Sequence, residues 1–381
     1  MGAWRRRPGK SDVPPVKTVR LGIIGLGSMG QVHARSLLAG RVSRTRLAAV
    51  ADAAPERLLQ FPGIPGFPTD RELIASGLVD AVLIATPHYH HTASGIAALK
   101  AGLHVLVEKP ISVHTGDCRR LIAAHRDKRL VFAAVFNQRT DPLFRRLRRM
   151  VRGGELGEVR RVNWTITNWF RTAAYYNSGG WRATWAGEGG GVLLNQCLHN
   201  LDVFQWIFGM PARIHGFCGF GRYHDIEVED DVTAHFEMKG GAHATFIAST
   251  GEAPGTNRLE VAGERGRVVI EDGALRFVRN KAPMSSFSRM ARKADALPPS
   301  EQRTFIARDA GGQHLEIVRN FSAAILRGAP LIAPAAEGIH SVELANAILL
   351  SAWTGAPVDL PVDSAAYARR LREKIAASAI R

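Results

Sequence analysis

Residues 18 to 40 read TVRLGIIGLGSMGQVHARSLLAG, and this stretch decides the fold of the first half of the chain. Val19 to Ile24 is a short β-branched and apolar run, which predicts a strand. Gly25-Leu26-Gly27-Ser28-Met29-Gly30 comes next as a turn, and a helix is predicted from Ser28 to Ala39, stopping at Gly40. In such a strand–turn–helix the first glycine makes the tight turn, the second lets backbone approach a pyrophosphate, and the third lets helix and strand pack closely. The helix N-terminus offers free N–H groups and a positive dipole end to phosphates. Gly25, Gly27, Ser28, Met29 and Gly30 are therefore candidate cofactor-binding residues.

The surroundings of the motif add weight to it. A second strand, Arg46 to Ala51, ends at Asp52. A carboxylate there accepts both ribose hydroxyls of NAD and repels a 2′-phosphate. NAD is the expected cofactor; Arg57, five residues on, keeps NADP as the alternative. A helix N-cap ahead of Pro55 is the other reading of Asp52. Alternation continues: a buried strand at Ala81 to Ala85, the loop TPHYHH and a helix to Ala101, then a strand at His104 to Val107 ending in Glu108-Lys109-Pro110. A helix at about Thr115 to Arg126 and a strand at Leu130 to Phe136, running into NQRTDP, complete the series. Strands alternating with helices predict a parallel, doubly wound sheet. Ligands of such sheets lie beyond the carboxyl ends of the strands. That places Thr86, Pro87, His88, Glu108, Lys109 and Asn137 around one crevice. Lys109 directly follows an apolar strand and precedes a proline. A lysine partly desolvated on a crevice floor has its pKa lowered toward neutrality and can move a proton; the other reading is an exposed loop lysine.

Bulk numbers bound the rest. The 381 residues are too many for one ordinary core and fit two domains. No apolar run approaches the ~18 to 20 residues of a membrane span, so no membrane partner is expected. The start, MGAWRRRPGKSDVPP, is basic without an apolar region behind it and reads as a disordered tail over residues 1–17. The three cysteines, Cys118, Cys197 and Cys218, show neither metal spacing nor a disulfide framework, so no metal and a cytoplasmic location are expected. The net charge of +16 raises nucleic acid as a partner. Its excess sits largely in the tail and in RRLRRMVRGG at 145–154, no recognition motif accompanies either patch, and arginine outnumbers lysine along the whole chain. A solvated helix face is the reading taken, with no nucleic-acid partner.

Further on, residues 189 to 202 read GGGVLLNQCLHNLD. A buried helix has no use for polar groups that lack partners. Read as one helix over 189–208, the segment puts Asn195, His199 and Asp202 at i, i+4 and i+7, on one face, with Leu194, Leu198 and Leu201 beside them. The polar stripe is expected to face the crevice, across from Lys109.

Three separated blocks together resemble the Gfo/Idh/MocA oxidoreductases, named for glucose–fructose oxidoreductase and inositol dehydrogenase. They are GLGSMG with Asp52; TPHYHHTASGIAALKAGLHVLVEKP, similar to the family's TPN–H–EKP block and containing His91; and Trp181-Arg182 followed by GGGVLLNQCLHNLD, similar to its GG–D–H–D block. The likeness covers about residues 18 to 360. It implies a Rossmann domain (18–140) and a C-terminal α/β domain (141–381) with a large, mostly antiparallel sheet, the last segment able to pack back on the first domain. It implies homodimers or homotetramers assembled through that sheet. It also implies hydride transfer between the nicotinamide and a secondary hydroxyl of a sugar, sugar derivative or cyclitol, with Lys109 and His199 catalytic and His91 on the cofactor side. The alternatives are an NAD-retaining oxidoreductive glycosidase, acting by transient oxidation, elimination and hydration, and a non-catalytic nucleotide sensor. Two positions depart from the pattern. His88 stands where the family usually has Asn, and Asn195 where many members have Asp. An amide cannot exchange protons as a carboxylate does, so Asn195 is expected to orient substrate by hydrogen bonds.

Five of the seven tryptophans fall between 164 and 206. Aromatic faces pack on sugar C–H surfaces and arginine offers a fork of donors. Arg171, Tyr175, Tyr176, Trp181, Arg182 and Trp185 are the substrate-binding candidates beside Asn195. Arg171 with Arg182 raises an anionic sugar, such as a uronate or sulfosugar, as a substrate. Later segments read as structural: a hairpin in DDVTAHFEMKGGAHATFIAST, a strand pair in LEVAGERGRVVIEDG, and two amphipathic helices in HLEIVRNFSAAILRG and HSVELANAILLSAWTG. Residues 281 to 304 read as a mobile loop.

Overall fold

The computed structural model describes residues 17–378. The expected basic tail therefore lies, apart from Lys17, outside the described residues. The first sheet contains β1 (Val19–Ile24), β2 (Thr45–Ala51), β3 (Gly66–Phe67), β4 (Ala81–Ile84), β5 (His104–Val107) and β6 (Phe132–Ala134). Its order is β3-β2-β1-β4-β5-β6 and every pairing is parallel. This is the doubly wound dinucleotide topology, with its switch point between β1 and β4. β4 is buried throughout, as a strand covered on both faces must be.

The second sheet contains β7 (Val159–Ile166), β8 (Pro211–Phe220), β9 (Glu229–Met238), β10 (His243–Ser249), β11 (Asn257–Gly263), β12 (Gly266–Glu271), β13 (Ala274–Asn280), β14 (Ser300–Ile306) and β15 (Val358–Asp359). Its order is β14-β13-β12-β11-β7-β10-β9-β8-β15; only β7 with β10 is parallel. One face carries the core. Along β9, Val232, Ala234 and Phe236 are buried while Thr233, His235 and Glu237 are exposed. The helix Gly338–Thr354 lies on β8 and against the helix Leu198–Phe208. The helix Gln313–Arg327 returns to the first sheet, where Thr45 Oγ1 donates to Ser322 Oγ at 2.8 Å.

Two expectations are corrected. Residues 189–208 are not one helix: it begins at Leu198, and 191–197 are bend and turn. The cause is β9. A Cβ at Gly191 would lie 2.1 Å from the Glu229 carbonyl oxygen, so only glycine fits. The Glu229 carboxylate accepts the N–H groups of Gly191 (2.9 Å) and Leu193 (3.0 Å), and its carbonyl accepts that of Val192 (3.0 Å). Those donors point at a strand, so no helix starts there, and Asn195 and His199 do not share a helical face. The second correction concerns 281–304, which is a loop only in part, with bends and turns over 291–299. It forms a helix at Met284–Met290 and leads into β14, an edge strand paired along its length with β13. All but one of the β14 residues are exposed, so the strand has no buried face to produce apolar alternation.

Candidate active site

The crevice opens at the carboxyl ends of β1, β4 and β5. A cavity of about 460 Å³ is lined by Gly25, Gly27, Ser28, Met29, Asp52, Arg57, Thr86, Pro87, His88, His91, Glu108 and Lys109 from the first half. Ser178, Gly179, Gly180, Trp181, Arg182 and Asn195 line it from the second. The glycine turn is built by contact. Gly25 takes φ +90°, and a Cβ at Gly30 would meet the Gly25 oxygen at 1.9 Å. These residues fit a dinucleotide. A Cβ at Gly27 would touch nothing within 4 Å, so open space stands over that backbone. Among the described residues, no side chain caps the first N–H groups of the helix Ser28–Leu38. Thr86 Oγ1 is buried and, among the described residues, has no partner. Asp52 accepts from the N–H of Leu26 (2.6 Å) and of Ala54 (2.9 Å), and Arg57 stands 3.4 Å away.

Glu108 is the anchor of the floor. Its carboxylate meets His33 Nε2 at 2.9 Å and accepts the Lys109 N–H at 3.2 Å. Burial alone would raise its pKa, but the His33 hydrogen bond and charge, together with the charges of His314 and Lys109, outweigh burial and hold it down at about 2. His91 faces the carbonyls of Pro110 (2.7 Å) and Thr86 (2.8 Å), tying the Lys109 turn to the Thr86 loop. His88 Nδ1 lies 3.0 Å from the Glu188 carbonyl oxygen; that oxygen can only accept, so Nδ1 carries the proton. Burial, then the charges of His91 and Lys109, push the His88 pKa well down.

Lys109 Nζ donates to the Asn195 carbonyl at 3.0 Å and to Asn195 Oδ1 at 3.4 Å. Burial lowers its pKa, Glu108 and Glu188 oppose that, and Arg182 and Arg171 reinforce it. His199 is buried beside it. Burial first, and the Lys109 charge second, push its pKa well down, and its Nδ1 has no partner among the described residues. The site thus holds a lysine and a histidine whose pKa values are both lowered by burial.

The structure brings most of the candidates together and leaves others aside. Tyr175 is a hub: its Oη accepts from Arg182 (3.0 Å), Asn195 Nδ2 (3.1 Å) and Gln196 (3.2 Å), and the guanidinium carbons of Arg171 and Arg182 each sit 4.8 Å from its ring centre. Trp181 lies edge-on to His88 at 5.5 Å. Trp185 is packed against Phe220 and Trp353 in the core, and Tyr176 bonds Thr250 and meets His224; neither lines the cavity. Asn137 is also off the cavity, donating to Gln313 at 2.6 Å. Asp202 does not face the crevice. It is fully buried and takes a fork from Arg139, Nε at 2.7 Å and Nη2 at 2.6 Å. Sequence reasoning missed Glu188. It is buried at 2 % exposure, accepts from Asn195 Nδ2, and has its pKa raised by burial. Its one sequence signal was its place immediately ahead of the three glycines.

A Gly-rich turn on a parallel sheet, with a desolvated lysine beside it at the end of β5, is the arrangement of a nucleotide-dependent oxidoreductase. Residues 19–136 match the model described as oxidoreductase family, NAD-binding Rossmann fold, and residues 144–269 match the GFO/IDH/MocA C-terminal domain. The chain belongs to the Gfo/Idh/MocA family. It is an NAD-binding oxidoreductase of the type that includes sugar and cyclitol dehydrogenases. Inositol 2-dehydrogenase of Rhizobium meliloti is 27 % identical over 341 residues, covering 88 % of this chain and 97 % of that protein. Trans-1,2-dihydrobenzene-1,2-diol dehydrogenase of Bos taurus is 30 % identical over 261 residues, covering 67 % and 74 %. Among solved structures, the WlbA dehydrogenase of Bordetella pertussis in complex with NADH and UDP-GlcNAcA superposes with a TM-score of 0.76 at 22 % identity, covering 91 % of this chain and all of that one.

Proposed function

We propose that this chain is an NAD-dependent dehydrogenase acting on a secondary hydroxyl of a sugar, sugar derivative or cyclitol. The observation that carries the reading is Lys109. It ends β5 beside the glycine turn and lines the crevice, with its Nζ against Asn195 on the opposite wall and its pKa lowered by burial. The backbone at Gly27, Ser28 and Met29 would hold the pyrophosphate and Asp52 the ribose. Bound NAD supplies the hydride acceptor, and NADH the donor for the reverse direction. The chain's own groups handle the proton: Lys109 Nζ takes it from the substrate hydroxyl as the carbonyl forms, and returns it in reverse. Neutral His199, adjacent to Lys109, offers a second proton position. Asn195, Arg182 and the Tyr175 hydroxyl orient neighbouring hydroxyls by hydrogen bonds. NAD is favoured over NADP because Asp52 stands where a 2′-phosphate would sit. The same reading takes the protein to work in the cytoplasm, in keeping with its free cysteines, as a homodimer or homotetramer through the open sheet face that exposes Phe217. Light scattering in solution checks the assembly.

The deciding experiment offers a panel of polyols and sugars with saturating NAD to wild type and Lys109→Ala. One NADH per substrate turned over by wild type, and a loss of kcat of about 10² to 10⁴-fold in the variant, are expected. Near wild-type turnover by Lys109→Ala overturns the reading, and product release without net NADH points to the NAD-retaining alternative.

A further inference from the structure

Asn195 stands where the family resemblance leads one to expect a carboxylate, yet a carboxylate lies one hydrogen bond away. Glu188 is buried. Its Oε2 accepts the Ala183 N–H at 2.7 Å, and its Oε1 accepts from Asn195 Nδ2. The second hydrogen of that amide goes to Tyr175 Oη at 3.1 Å. On the other side Asn195 Oδ1 faces Lys109 Nζ at 3.4 Å. An ionised carboxylate only accepts and an ammonium only donates, so an amide placed between them has one orientation that satisfies both. Turned by half a revolution it would set its NH₂ against the ammonium and its oxygen against the carboxylate.

We propose that Glu188 is the positioning residue of this active site. Through Asn195 it fixes which end of the amide meets Lys109, and it holds the carboxylate charge one residue back from the lysine. The consequence is electrostatic. A carboxylate in direct contact would stabilise the Lys109 ammonium and hold the lysine protonated. An interposed amide keeps an acceptor on Lys109 while weakening that stabilisation, so the lysine stays easier to deprotonate. The charged and titratable groups facing Lys109 are Glu108, Glu188, Arg171 and Arg182, with His88, His199 and His314 around them. Of these, Glu188 is the one carboxylate whose link to the lysine runs through the Asn195 side chain.

The test is a charge exchange in the full chain: Glu188→Gln, Asn195→Asp, and the double variant. Two readouts are taken, kcat against pH under saturating NAD, and the titration of the Lys109 ε-ammonium by NMR with labelled lysine, assigned with Lys109→Arg. The kinetic arm rests on the dehydrogenase reading; the titration needs no substrate. In Glu188→Gln the glutamine NH₂ meets the Asn195 NH₂, the amide turns, and Lys109 keeps the Asn195 backbone carbonyl but exchanges its side-chain acceptor for a donor. Loss of kcat of about tenfold to a hundredfold with a smaller change in KM is expected, and Lys109 titrates at lower pH than in wild type. Asn195→Asp puts a carboxylate on the lysine, so Lys109 titrates at higher pH and the basic-side rise of kcat moves up with it. The double variant restores an unbroken order, since the introduced aspartate accepts both from the introduced glutamine and from Lys109. It is expected to recover most of the lost kcat above its shifted titration. A Glu188→Gln variant with unchanged kcat and unchanged Lys109 titration overturns the proposal, as does a double variant no better than Glu188→Gln. If Glu188→Gln does not fold, Asn195→Asp decides alone: an unmoved Lys109 titration overturns it. A wild type that turns over nothing refutes the dehydrogenase reading and leaves this one to the titration.

Discussion

Asn195 and Asp202 lie on one short stretch of chain whose spacing predicts a single polar stripe, but they sit in opposite kinds of environment. At Asp202 every group is matched. Arg139 is fully buried, forks onto Asp202, donates to Glu337 and to the Ile332 carbonyl at 3.3 Å, and lies near the rings of Phe136 and Trp206. At Asn195 the network is left open. Lys109 has a lowered pKa, His199 Nδ1 and Thr86 Oγ1 lack partners among the described residues, and Lys109, Thr86 and Asn195 border a cavity. A closed polar cluster rigidifies the fold, while an open one leaves hydrogen-bonding capacity for a ligand and free energy to be recovered on binding.

The largest expected effect breaks the closed end. Asp202→Ala strands a buried guanidinium and is expected to destabilise folding by about 3 to 5 kcal/mol, seen as a fall in the denaturation midpoint. A midpoint within a degree of wild type would show that the two ends do not differ as described. The counterpart at the open end is Lys109→Met. It is expected to cost about 10² to 10⁴-fold in kcat while the denaturation midpoint holds or rises, because a desolvated ammonium is removed. A third variant sharpens the cofactor side. Asp52→Ala removes a carboxylate that would bond the ribose, and its preference for NAD over NADP, measured as a ratio of kcat/KM, is expected to fall by about tenfold to a hundredfold.

The smallest effect concerns Glu229, the carboxyl beneath the glycine turn that joins the two ends. Burial raises its pKa to about 7, against the N–H groups of Gly191 and Leu193. An acid whose folded pKa is raised holds its proton longer in the folded state. Its contribution to stability is fully present below the unfolded carboxyl value of about 4.5 and is lost as pH rises from there through about 7. His88 and His199, held neutral by burial, act in the opposite sense as pH falls below 6.5. The difference between wild type and Glu229→Gln therefore isolates the carboxyl. Wild type is expected to lose, relative to the variant, on the order of 1 to 3 kcal/mol between pH 4.5 and pH 7, followed by urea unfolding at each pH. A difference that stays flat across that window removes Glu229 as a titrating support of the turn.

Much of the crevice was legible in the chain. The glycine turn, Asp52, Thr86, Glu108 and Lys109 each follow a strand whose apolar run marks it, His88 opens the helix after β4, and in a parallel sheet those ends converge. The second wall was legible only in part. Trp181, Arg182 and Asn195 reach the cavity, while Trp185 and Tyr176 turn into packing, and nothing in the spacing of WRATW separates Trp181 from Trp185. Glu188 was not legible, because a lone glutamate beside glycines resembles any surface residue until its burial is known.

Local sequence suffices for the main alternation of strands and helices in the first half, for the tight turn at Gly25 to Gly30, and for the lysine at the end of β5. These follow from backbone sterics and from apolar periodicity within a few residues of each site. Folding in three dimensions was needed for the rest. It sets Arg139, sixty-three residues back, against Asp202, and it brings up β9 to stop a helix from starting at Gly191. It also inserts the Asn195 amide between a carboxylate and an ammonium. Such pairings join groups distant along the chain, and their energies depend on burial and orientation, which local spacing does not carry.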